Sequence, residues 1–118
     1  RAAMNHYLFQ WTYKDPQIRA LVEAPQDRVA ELRKVVEAFG GGLREFYFAL
    51  GDFDGAAILE FPDNESLDAC LLTISSSGVN SKMKVTVLIT PQEGKRAMVR
   101  AGSVVSGYKP PVGYSAHG

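Results

Sequence analysis

An α+β domain on a four-stranded antiparallel sheet, in the order β-α-β-β-α-β, is what this 118-residue sequence predicts. Three observations predict it. The N-terminal segment alternates aromatic and other residues with a period of two. Two helix-period segments follow, one on either side of a close pair of short apolar runs. A last alternating run precedes a Gly-, Ser- and Pro-rich tail and completes the order.

The first strand is HYLFQWTY (His6 to Tyr13), with Tyr7, Phe9, Trp11 and Tyr13 on one side and His6, Leu8, Gln10 and Thr12 on the other. Asp15-Pro16 then reads as an acidic cap with proline at the first helical position. Pro25 interrupts this region, so a longer helix restarts with its cap at Gln26 or Asp27. Val29, Leu32, Val36 and Phe39 give that helix one apolar face, and Gly40-Gly41-Gly42 stops it. LREFYFAL (Leu43 to Leu50) and GAAILEF (Gly55 to Phe61) are close enough to form an antiparallel hairpin around GDFDG. Asp63 caps a second helix with Leu67, Cys70, Leu71 and Ile74 on one face, ended by Ser75-Ser76-Ser77-Gly78. KMKVTVLIT (Lys82 to Thr90) is the last strand, with Met83, Val85, Val87 and Ile89 on one side and Lys84, Thr86 and Thr90 on the other. Thr90-Pro91-Gln92-Glu93 opens a short third helix.

This order is the split arrangement of a ferredoxin-like fold, with both helices on one sheet face. The other face does not read as wet. Tyr47 and Ala49 lie opposite Phe46, Phe48 and Leu50, and Ala56 and Ile58 lie opposite Ala57, Leu59 and Phe61. A sheet with one solvated face alternates cleanly between apolar and polar residues. The uncovered face is therefore expected to be buried against a second copy, as a homodimer or a higher homo-oligomer.

Bulk properties narrow the function classes. Acidic and basic residues balance at 13 each, so no overall field draws nucleic acid or an anionic membrane. The lone Cys70 forms no internal disulfide and fits a reducing compartment. No apolar run reaches the roughly 20 residues of a membrane helix, and no secretory signal pattern opens the chain. Arg1-Ala2-Ala3 reads as a remnant ahead of a native start at Met4. A soluble cytoplasmic protein is expected, with one domain over residues 4–101 and a flexible or docking tail over 102–118.

With the hairpin and second helix placed, FYFALGDFDGAAILEFPDNES resembles the GYD-domain family, in which a FYFAFG-type strand runs into a Gly/Asp/aromatic turn, a buried strand and a PDN helix start. SSSGVNSKMKVTVLITPQE, YLFQWTYKD and VVEAFGGGLREFYF extend the resemblance over about Tyr7 to Glu93. Trp11 stands where the family usually has a small residue, the Ala24-Pro25-Gln26 break departs from the pattern, and the tail is long. The resemblance implies a dimeric α+β barrel, and no cofactor is expected for the chain.

Each chemical candidate has a structural competitor. Asp52 and Asp54 resemble the start of an EF-hand loop, but the third ligand, the turn glycine and the closing glutamate are missing. A hairpin turn explains them, with Gly51 and Gly55 at positive φ and Asp52 in an Asx-type bond. His6 is either a strand-end residue or a ligand group or general base that meets Glu45, Tyr47, Lys84 and Thr86 inside a barrel. Trp11 is either core or a stacking wall. Cys70 lies on an apolar helix face and reads as an inert thiol. Lys95, Arg96 and Arg100 read as a solvated helix face, and His117 as a solvated tail residue.

The leading reading is a small-molecule-binding protein whose pocket uses His6, Gln10, Trp11, Tyr47 and Lys84 for a small polar or aromatic ligand. Related barrel families include cofactor-free oxygenases and isomerases, which makes an enzyme of that type the first alternative. An accessory subunit docking through SVVSGYKPPVGYSA, with Tyr108 and Tyr114 as anchors and Pro110-Pro111 holding it extended, is the second.

Overall fold

The aromatic alternation of the N-terminal segment builds β1 (Asn5–Tyr13), whose Tyr7, Phe9, Trp11 and Tyr13 are all buried. The structure is a computed structural model, and it describes residues 3–113. Tyr114 and His117, singled out above, lie outside the described residues. After β1 come α1 (Asp15–Glu23), α2 (Arg28–Ala38), β2 (Gly42–Phe48), β3 (Gly55–Phe61), α3 (Asn64–Ser76), β4 (Asn80–Leu88) and α4 (Pro91–Ser103).

The sheet order is β2-β3-β1-β4 with every pairing antiparallel, which is the ferredoxin-like arrangement the element order predicts. β1 and β3 are central, and their register sets Tyr7 against Leu59, Phe9 against Ala57 and Trp11 against Gly55. α2 and α3 cover this face with Val36, Leu67 and Cys70, closing a core with Leu59 and Phe61. Burying each large side chain stabilises the fold by roughly 1.5–3 kcal/mol. Tyr7 also reaches across this core, its hydroxyl donating to Asn64 Oδ1 at 2.5 Å at the first turn of α3.

The helix starts follow their caps. Asp27 accepts from the Ala30 amide at 3.1 Å and Asp63 from the Ser66 amide at 2.7 Å. Thr90 and Glu93 form a reciprocal capping box, each side chain bonding the other's backbone N–H at 3.1 Å. At the end of α2, Gly40 takes φ 81°, the left-handed stop that only glycine adopts without strain.

Several local expectations need correction. Asp15 does not cap α1: Lys14 holds the cap position without a side-chain bond, and Asp15 lies in the first turn. β2 ends at Phe48 rather than Leu50, because the amide of Ala49 turns to bond the Asp54 carbonyl at 2.8 Å. β4 runs from Asn80 to Leu88 rather than from Lys82 to Thr90, and its Val87 is exposed because β4 is an edge strand. The third amphipathic helix is not short: α4 has 13 residues.

The GDFDG loop is a turn, but not by the expected bonds. Gly51 has φ 154°, whereas Gly55 is not at positive φ. Gly55 is glycine for another reason: a Cβ there would lie 2.2 Å from the Trp11 indole, which packs directly on its backbone. The anchoring carboxylate is Asp54 rather than Asp52. Asp54 Oδ2 accepts the Tyr13 amide at 2.9 Å, while its own amide donates to the Trp11 carbonyl at 2.8 Å. Asp52 contributes only its backbone carbonyl, to the Thr12 hydroxyl at 3.2 Å.

Candidate functional site

The face of the sheet away from α2 and α3 is uncovered by helix, and its residues fall into rows across the four strands. One row reads Tyr47, Ala56, Gln10, Lys84, and the next reads Glu45, Ile58, Leu8, Thr86. A third reads Gly42, Glu60, His6, Leu88. His6, Gln10, Tyr47 and Lys84 thus share one face because their positions have the same strand parity. Gln10 stands between Lys84 and Tyr47, one strand from the former and two from the latter. His6 lies a full two rows away from them. Instead of Tyr47 or Glu45 it meets Glu60, and Glu45 pairs with the Tyr47 hydroxyl at 3.4 Å. A shallow hollow of about 130 Å³ lies between Leu8, Tyr47, Ala56 and Ile58.

Glu60 is the electrostatic focus of this face. It is 6% exposed, although it is a carboxylate on a face with no helix above it. His6 Nε2 approaches Glu60 Oε2 to 3.6 Å and Arg44 Nη1 approaches the same oxygen to 3.7 Å. Two features of the backbone allow this. A bulge between Leu43 and Glu45 leaves Arg44 unpaired and free to turn toward Glu60. Gly42 leaves room beside it, since a Cβ there would sit 3.0 Å from Glu60 Oε1. A carboxylate this enclosed needs partnered charge to offset its lost hydration. The first turn of α4 adds a second carboxylate near His6. The Thr90 backbone and side-chain hydrogen bonds hold Glu93 below its ordinary range, with Arg96 and His6 as smaller causes.

Trp11 belongs to the opposite face. Its indole packs on Phe9 at 5.0 Å and on Phe46 at 5.3 Å between ring centroids, so it is apart from the other four candidates. Trp11 is buried in the core, and with Tyr13 and Phe46 it also lines a slot of about 80 Å³ beside α2. Cys70 is fully buried in α3, and burial pushes its thiol up to about 11, far from a nucleophile's range. Among the described residues, no group of three or more His, Cys, Asp or Glu is placed to hold a metal ion. No helix among them is long and apolar enough to cross a membrane.

Sequence reasoning passed over Glu60 and Arg44. One signal was available, since Glu60 is the only charged residue in the strand GAAILEF and shares strand parity with Ala56 and Ile58. Arg44 carries no comparable signal, because its orientation depends on the bulge.

Comparison with known proteins places the chain. A search of curated proteins returns no match. Among solved structures, MtbAldR superposes with a TM-score of 0.52 at 15% identity over 73% of this chain. The chain spans about half of that protein, 52% of its length, and the likeness shows the shared fold alone. A dimeric ferredoxin-like protein from an uncultured marine organism matches with a TM-score of 0.35 at 15% identity, over 76% of this chain and 90% of that one. The family model described as GYD domain matches residues 7–98, from the third residue of β1 into α4, and the chain belongs to the GYD domain family.

Proposed function

We propose that this GYD-domain protein binds a small polar molecule on the uncovered face of its sheet, with a second copy closing that face into a barrel. The observation that carries this reading is the enclosed Glu60 carboxylate held between His6 and Arg44 at 3.6 and 3.7 Å. A charged group so placed is costly to the fold, and such groups cluster where recognition or proton handling needs them. Beside it, Leu8, Ala56 and Ile58 form an apolar strip that a second sheet would bury, and Gln10, Tyr47 and Lys84 supply hydrogen-bonding groups along its edge. The His6–Glu60 pair also favours a second reading, in which His6 moves a proton on the bound molecule without a cofactor.

Sedimentation equilibrium and NMR test both parts. The wild-type chain is expected to be dimeric, and Ile58→Lys, which puts a charge in the apolar strip, is expected to give a folded monomer. A panel of small hydroxylated aromatics followed through the His6 imidazole signals should give a saturable shift in wild type that Glu60→Gln weakens. A monomeric wild type, or no saturable shift across the panel, would overturn the proposal. Turnover of any binder that His6→Gln abolishes, with binding retained, would select the proton-transfer reading.

A further inference from the structure

We propose that the slot beside α2 is a second ligand site, on the helix-covered side of the sheet, and that it takes a small flat ring bearing a primary carboxamide. The slot holds about 80 Å³. A single water needs only about 10–15 Å³ on that measure, so there is room for several waters or one small ring. Its walls are Trp11, Phe46 and Val35, surfaces that favour a ring over ordered water.

The polar end of the ligand follows from two atoms. Arg28 Nε and Asn80 Oδ1 both belong to residues lining the slot. Both atoms are closed off from solvent and have no hydrogen-bond partner among the described residues. Burying a donor and an acceptor unpaired costs about 1–3 kcal/mol each, so a partner is expected. Arg28 offers an N–H and needs an acceptor, while Asn80 offers an oxygen and needs a donor. A primary carboxamide presents both on one carbon. A carboxylate would satisfy Arg28 but would set a second acceptor against Asn80 Oδ1.

Local geometry brings these two residues to the slot. The register of β1 on β4 shifts between Thr12 and Tyr13, so that Tyr13 pairs with Asn80 and Ser81 is left as the extra residue. Such bulges re-aim a neighbouring side chain. Arg28 opens α2 directly after its Asp27 cap, and its Nη1 donates to Gln26 Oε1 at 3.4 Å while its Nε is closed off from solvent. Exposed Glu31, one turn further on, also lines the slot and marks its mouth.

Trp11 is the chain's one tryptophan and lines this slot, so a ligand bound there should change its emission. Titration of the full chain with benzamide should change Trp11 emission along a saturable curve, and benzoate should bind at least about tenfold more weakly. Asn80→Leu and Arg28→Met should each weaken benzamide at least about tenfold while leaving toluene binding intact. Arg28 is at a helix start, so that variant keeps the test open if Asn80→Leu does not fold. A linear, unsaturable response to benzamide would mean that waters fill the slot, and it would overturn the proposal. So would benzoate binding as tightly as benzamide, or unchanged affinity in the folded variants. None of these results bears on the uncovered sheet face, which the dimer and His6 measurements test separately.

Discussion

Asp52 and Asp54 sit two residues apart in one loop, yet only Asp54 uses its carboxylate to hold the fold. It accepts the Tyr13 amide at 2.9 Å, at the point where β1 leaves its regular register with β4. Asp54→Ala is expected to destabilise the chain by about 1–2 kcal/mol in urea unfolding, since it strands a part-buried amide. Asp52→Ala should stay within about 0.5 kcal/mol, because only its backbone is used. One source of acid sensitivity is a different aspartate. Hydrogen bonds from the Ser66 backbone and side chain hold the Asp63 carboxyl below its ordinary 3.8. A depressed folded value adds stability that is present above the unfolded value and is lost as pH falls through the folded one. Thermal melts below about pH 4 should therefore fall less steeply for Asp63→Asn than for wild type. The alkaline limb belongs to Cys70. Its thiol is raised from 9.0 to about 11, so its contribution is complete below 9.0 and is lost as pH rises through about 11.

At the scale of elements, the pairing of Trp11 with Gly55 explains why a bulky indole fits a central strand. The glycine leaves a floor for the ring, and Phe9 and Phe46 flank it. Gly55→Ala would place a methyl about where the ring now lies, a Cβ contact of 2.2 Å. It should cost about 1–3 kcal/mol and shift Trp11 emission, as overpacking does. Much of this level was legible beforehand. The alternation from Tyr7 to Tyr13, the hairpin spacing and the Asp63 cap specify strands, sheet and helix start through local periodicity and capping chemistry. The two bulges were not legible. Each is a one-residue slip decided by cross-strand pairing, and periodicity within one strand says nothing about its partner's register. That is why Arg44 and Asn80, the residues at these bulges, escaped notice while His6, Gln10, Tyr47 and Lys84 shared a face as their parity required. Trp11 was grouped with those four by chemistry, and its strand parity already assigned it to the other side. The meeting of Arg28 and Asn80 in one slot depends on packing between α2 and the end of β4, which no local pattern encodes.

At the scale of the whole molecule, the Cα radius of gyration is 19.0 Å, against about 13.5 Å for a compact chain of this length. None of the 13 residues of α4 is buried, and Met98 and Val99 stay exposed, as do Val105 and Tyr108 beyond it. An isolated helix of this length is marginal in water, even with the Thr90–Glu93 capping box. Its first turn begins close to the uncovered face, near enough for His6 to act on Glu93. A second copy seated on that face would therefore meet α4 and cover its apolar residues. Removing residues 91–118 is accordingly expected to leave the unfolding of the sheet unchanged in Trp11 emission. It should also raise the dissociation constant of the proposed dimer at least about tenfold, or 1.4 kcal/mol, by sedimentation. Removing only residues 102–118 separates the helix from the tail. If that shorter deletion alone reproduces the weakening, the docking surface is the extended segment around Tyr108. If neither deletion moves the constant, α4 faces something other than a second copy, and the proposed dimer would be held by the sheet face alone.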